Sequence, residues 1–257
     1  TMRDTDQGGG TVDGVNLVNL NNLYPTATFG TITYPVSQGA LKGAESASAA
    51  VTLANLTSVT FDSPNGDVSI TNPALIEASK TVTRIAGSYN IAVNNLRVTA
   101  TRAANAAITI AQTIVRIANT ASVITVSPAT ARIRSGVAPG NDTTISIISD
   151  QQLFVAPTLS PAVGRGTFQG GGFAGGPSTW TRVLRVLDSE NPMNGSANTW
   201  LGLVATNLAG IVTSVITTGT TYVIGGFTSR TLSFAPFLAN STEFVPLTDQ
   251  TKLSAGS

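Results

Sequence analysis

Cysteine and histidine are both missing from the 257 residues. Without cysteine there is no disulfide framework, no thiolate nucleophile and no thiolate metal site. Without histidine the commonest general base and the commonest transition-metal ligand are gone. Charge is also scarce. Asp, Glu, Lys and Arg make up 11% of the chain, against about 25% in an ordinary soluble domain. The 14 cationic and 13 acidic side chains nearly cancel, leaving a net charge of +1. No block of like charges occurs, so no field is expected to gather nucleic acid or steer an acidic partner. No apolar run approaches the roughly 20 residues of a membrane-spanning helix. The opening stretch, residues 1–10, is polar and lacks the apolar core of a secretory signal, so export by such a signal is not expected from it.

Hydrophobic residues account for 42%, enough for a substantial core, and the length suits one large domain or two ordinary ones. Ser, Thr, Asn and Gly take the surface places that charges usually fill. Short alternating runs dominate. Residues 28–35 and 46–56 read as strands, and 81–85, 91–101 and 107–117 follow. The Ala- and Ile-rich run 103–121 also fits a helix, but Ile108, Ile110, Ile114 and Val115 interleave with Thr109 and Thr113, and β-branched residues favour strands. Two alternating runs, 59–63 and 68–71, flank Asn65-Gly66, the dipeptide of a tight hairpin turn.

Further strands are expected at 123–126, 131–134, 143–149, 153–159, 182–187, 199–206, 212–216, 222–224 and 231–234, with a glycine-rich loop or hairpin at 164–176. Strand signals thus recur roughly every 8–12 residues between Gly, Pro and Asn, the spacing of an all-β sandwich or barrel. No βαβ alternation is present. The run Leu96 to Ala106 weakly repeats Leu201 to Ile211: Ala100-Thr101 aligns with Ala205-Thr206, and Asn105 with Gly210.

Residues 143–153 and 156–159, then Trp180-Thr181-Arg182-Val183, then Val204-Ala205-Thr206-Asn207-Leu208-Ala209-Gly210 resemble bacterial Ig-like repeat domains. Those modules carry a Ser-rich strand, a Trp-Thr-Ala-Thr strand and a Val-x-Ala-Thr-Asp-x-Ala-Gly-Asn ending. Asn207 stands here for the usual Asp, and Ile211 for the usual Asn. Residues 96–126 look like the end of a second such module. The resemblance implies an all-β fold of two tandem Ig-like β-sandwich domains, at 28–122 and 123–237. An extended N-terminal arm at 1–27 and a polar C-terminal tail at 238–257 are expected beside them. Such modules occur in bacterial surface adhesins and in phage tail, baseplate, fibre and capsid proteins.

The residues that invite a chemical reading each have a plainer one. Gly164-Arg165-Gly166 and Gly170-Gly171-Gly172 lack the Gly-Lys-Ser/Thr and following helix of a phosphate cradle. Asp62 and Asp67, or Asp188 and Glu190, offer oxygen ligands to calcium, but neither pair has a third acid nearby in sequence. Trp180 and Trp200 are able to stack on sugar rings, yet both sit in alternating strands that predict core or interface packing. A serine nucleophile needs a base, and Gly39, Glu77 and Asp249 occupy the positions three before Lys42, Lys80 and Lys252. Arg132 and Arg134 share one strand face, whereas Arg182 and Arg185 fall on opposite faces.

No catalytic, cofactor-binding or metal-ligating residue is therefore assigned. The expectation is a non-enzymatic structural component of a bacteriophage virion, in the tail, baseplate or fibre region. Its partners would be other virion proteins and copies of itself in a symmetric assembly, with no nucleic acid and no cofactor. The alternatives are an adhesin fragment that binds a host surface or glycan, and a capsid decoration protein.

Overall fold

The computed structural model describes residues 25–35, 38–101, 108–128, 132–191 and 195–227. The expected arm up to residue 24, residues 103–107 of the Ala- and Ile-rich run, the strand at 231–234 and the tail at 238–257 lie outside them. The protein is all-β, built of several mainly antiparallel sheets. It divides into two compact units. One runs to Ala121 and includes Leu208–Ile211; the other takes Ser122–Asn207 and continues from Val212.

The first unit holds β1 (Thr26–Thr33), β2 (Ser46–Ala54), β3 (Ser58–Asp62), β4 (Val68–Ile70), β5 (Ser79–Arg84), β6 (Tyr89–Asn90), β7 (Leu96–Thr101), β8 (Ile108–Thr113) and β9 (Ile117–Ala118). They form a sheet ordered β1-β2-β5-β4, a sheet ordered β3-β7-β8, and the pair β6-β9. The Ala- and Ile-rich run, where described, holds β8 and β9, with Ile114 and Val115 in the connection between them. The two larger sheets are amphipathic by the two-residue period of a strand. Val51 on β2 turns inward to meet Val59 and Phe61 on β3 and Val98 on β7, and Phe29 on β1 meets Phe61 edge to face at 6.3 Å. The outer face is a ladder of hydroxyls. Ser46 pairs with Thr83 at 2.8 Å and Ser48 with Ser79 at 2.6 Å, and Ser58 pairs with Thr101. Cross-strand hydroxyl pairs of this kind occupy an outer face without charge.

The Asn65-Gly66 signal needs a correction. The turn forms, with Gly66 at φ 74° and its N–H donating to Ser63 O at 3.2 Å. The flanking strands do not pair with each other. β3 pairs with β7 and β4 with β5, so the turn carries the chain from one sheet to the other. A hairpin would set Val59, Phe61 and Val68 in one sheet. The crossing puts Phe61 and Val68 in opposite layers, where both are buried.

Lys80 is a second departure from simple alternation. It shares the inward parity of Val82 and is 1% exposed. Its ammonium donates to Asn72 O at 2.8 Å, Leu75 O at 2.6 Å and Glu77 Oε2 at 3.0 Å, and lies 5.0 Å from the centre of the Phe61 ring. The buried charge thus ties the loop between β4 and β5 to the core.

The second unit holds β10 (Ile124–Ser127), β11 (Arg132–Ser135), β12 (Asn141–Ser149), β13 (Thr158–Ser160), β14 (Thr167–Phe168), β15 (Ala174–Gly175), β16 (Thr179–Val186), β17 (Ala197–Thr199), β18 (Leu201–Thr206), β19 (Val212–Thr213) and β20 (Thr221–Phe227). One sheet runs β10-β12-β16-β14, with β15 also on β16. Two more run β11-β20-β17 and β13-β18-β19. Their inner faces enclose Ile124, Val126, Ile133, Ile145, Ile147, Leu184, Leu203 and Ile224 in one core.

Several expectations change here, and the run 212–216 is strand only at Val212–Thr213. The run 153–159 is strand only from Thr158, with Leu153 making an isolated bridge to Asn207. The run 199–206 is broken at Trp200, so that β17 and β18 belong to different sheets. The glycine-rich loop or hairpin expected at 164–176 contains two short strands, β14 and β15, each paired to β16 and not to the other.

Replacing Lys80 with Met should destabilise the protein by about 1–3 kcal/mol, because the Asn72 and Leu75 carbonyls lose their donor. Glu77→Gln should cost about 1 kcal/mol, since both carbonyl contacts survive. Chemical denaturation, read at the unfolding midpoint with an unchanged slope, separates the two.

Candidate functional site

The residues marked by sequence come closest together in the second unit, around an aromatic column. Trp200 stacks on Tyr222 at 4.1 Å and on Phe168 at 6.1 Å. Phe173 meets Phe168 edge to face at 5.3 Å, and the Arg182 guanidinium lies 5.0 Å over the Phe168 ring. Arg182 also donates to Gln169 O at 3.2 Å and Gly170 O at 3.1 Å. The glycine-rich segment is therefore pinned at Phe168, Gln169 and Phe173, and closes the aromatic core from one side.

Glycine is required at its end for space. A Cβ on Gly175 would stand 2.6 Å from Thr179 O, and one on Gly176 3.1 Å from the Trp180 ring, with φ at 126° and 121°. Trp180 is partly buried against the same core, and Trp200 is buried. A ring used as a sugar platform needs an open face, and the Trp200 ring is taken up by its two stacking partners.

Tyr222 joins this column to the backbone. Its hydroxyl accepts from Ala162 N at 3.0 Å and donates to Arg165 O at 3.0 Å. Burial pushes the phenol up to about 12, against the opposing hydrogen bond from Ala162. Sequence reading passed over Tyr222. The available signal was its place in a strand beside Ile224, with the same inward parity.

The acids are engaged one at a time. Asp62 receives Arg97 on both carboxylate oxygens, with Arg97 Nε at 2.9 Å. Asp67 accepts from Asn65 at 2.7 Å and Asn90 at 3.1 Å. Asp188 accepts from Ser135 at 2.7 Å, and Glu190 caps the Leu187 N–H at 2.7 Å. Neither sequence pair converges on a common point in these contacts. Among the described residues no three acidic side chains gather as a metal site would need.

Arg182 and Arg185 do fall on opposite faces. Arg182 covers the aromatic core, and Arg185 forms a two-pronged pair with Asp142 at 2.6 and 2.7 Å across β12 and β16. Hydrogen bonding to Arg185 holds the Asp142 carboxyl below the usual range. Arg132 and Arg134 both lie on the exposed side of β11. Lys80, raised as a partner for serine, is spent on the carbonyl clamp, and Lys252 lies outside the described residues.

No protein-family model matches the chain, and no curated protein matches its sequence. No helix among the described residues is long and apolar enough to cross a membrane.

Two outcomes follow from the titrating groups. Tyr222 has a folded pKa raised above its unfolded value near 10.0. The neutral phenol is the form the fold accepts, so its contribution is whole below pH 10 and is lost as pH rises towards 12. Tyr222→Phe should flatten that part of the stability curve in denaturation series at alkaline pH. Asp142 runs the other way: its stabilising pair is present above the ordinary carboxylate range and is lost as pH falls through the depressed value. Arg185→Gln should return Asp142 to ordinary titration, followed by carboxyl carbon NMR.

Proposed function

We propose that the chain is a non-enzymatic structural component of a bacteriophage virion, in its tail, baseplate or fibre region. It would be built from two tandem Ig-like sandwich domains. The observation that carries this reading is the use made of the chemically capable side chains. Asp62, Asp142, Glu190 and Lys80 hold strands and loops together, and Trp200 fills a core. The likeness of Trp180 to Val183 and of Val204 to Gly210 to bacterial Ig-like repeats supports the domain type. Surfaces furnished with hydroxyls and few charges suit assembly through many modest contacts repeated by symmetry.

The test is immunogold electron microscopy on the source culture and on particles purified from it, with antibody to this chain. Gold at a fixed place on phage particles is the expected result and identifies the sub-assembly. Gold on cell envelopes with clean particles would overturn the virion reading in favour of an adhesin.

A further inference from the structure

Many outward positions on other strands bear hydroxyls, such as Ser46 and Ser48 on β2, Thr60 on β3, Thr81 on β5 and Thr144 on β12, with single exposed apolar side chains at Ile108 on β8 and Ile148 on β12. The sheet β13-β18-β19 differs. Leu201, Val204 and Val212 are 43%, 45% and 56% exposed, and Phe154 beside them is 49% exposed. Pairing places them together. Val204 stands opposite Thr158, Leu201 opposite Ser160, and Val212 opposite Thr206, while Phe154 N donates to Thr206 O at 2.8 Å.

The backbone builds this face. Trp200 and Leu203 are both buried, and strict alternation does not allow two inward residues three apart. The register slips between Thr158 and Ser160, Gly202 takes φ 62°, and Thr158 Oγ1 donates to Gly202 O at 3.0 Å. This bulge turns Leu201 out to the surface.

We infer that the outer face of β13-β18-β19 is a self-association surface, covered by the same face of a second copy of this chain. None of Thr158, Ser160, Leu201, Val204, Thr206 and Val212 is charged. A face of this kind meets itself without like-charge repulsion and carries no charge pattern to select a different partner. Its apolar area is on the order of 300–400 Å², the size of a functional surface patch. With its Thr and Ser rim it reaches the low end of specific interfaces, about 1,200 Å² in total. The association is therefore reversible and concentration-dependent. The edges β13 and β19 have three residues and two, too short for strand addition, so the copies meet face to face.

The inference rests on the assembly reading only in taking a second copy as the partner. Sedimentation velocity of the full chain, from micromolar to submillimolar concentration, tests it. The weight-average mass should rise towards twice the monomer. Val204→Asp places two like charges at the centre of the interface and should weaken association at least tenfold. Thr81→Asp, on an outer face of the first unit, should leave it unchanged. The pair Leu201→Thr with Val212→Thr keeps strand-forming residues and should weaken association even if Val204→Asp unfolds the chain, which near-UV circular dichroism would reveal. A monomer throughout, or a dimer indifferent to folded variants, overturns the inference. Gold on cell envelopes would sink the virion reading and leave this measurement standing.

Discussion

Burial of alternate side chains between facing sheets is the constraint on which everything else here depends. The chain has no disulfide to restrain its unfolded state and few charges with which to build ion-pair networks. Stability must come from β-branched and aromatic side chains removed from water, at roughly 25 cal/mol per Å² of apolar area. Ile145 and Ile147 on β12, Leu184 and Val186 on β16, and Leu203 and Ala205 on β18 are all within 4% of full burial. Each is bracketed by neighbours that the same pleat sends outward. A shift of one residue in any of these strands would exchange core for surface.

The few charged groups serve that packing. The Asp62–Arg97 and Asp142–Arg185 pairs bridge neighbouring strands at partly exposed positions, where an ion pair adds little to stability but favours one register over its neighbours. Lys80 is the exception in burial. Its ammonium donates to two carbonyls of the loop between β4 and β5. Arg182 works through its flat face, covering Phe168 while its N–H groups hold the glycine-rich segment. Asp62, Asp142, Lys80 and Arg182 hold strands and loops in place, and the exposed apolar face on β18 accompanies the bulge that lets Trp200 and Leu203 share one core.

Alternation made the all-β class and most strands readable in advance. Thr143 to Ser149 and Arg182 to Leu187 lie where two-residue periodicity put them, because that pattern reports directly which side chains must be hidden. The opposite faces of Arg182 and Arg185 followed from the same parity. The burial of Trp200 was legible in outline as core or interface.

Partnership between distant strands was not legible. Asn65-Gly66 specifies a turn through the φ that Gly66 tolerates, and the turn is there. Whether the strands on either side pair or part is decided by β7 and β5, which come later in the chain than the turn. Lys80 carries no local mark of burial, since the carbonyls that satisfy it come from a loop whose path depends on the sheet beneath. The bulge at Gly202 appears only when β13 and β18 are laid side by side. The sequence by itself determined which residues alternate between core and surface, because that is a property of single strands. Tertiary structure alone decided which strands meet, where Trp200 stacks and which face is left apolar, because those depend on groups brought together from separate stretches of the chain.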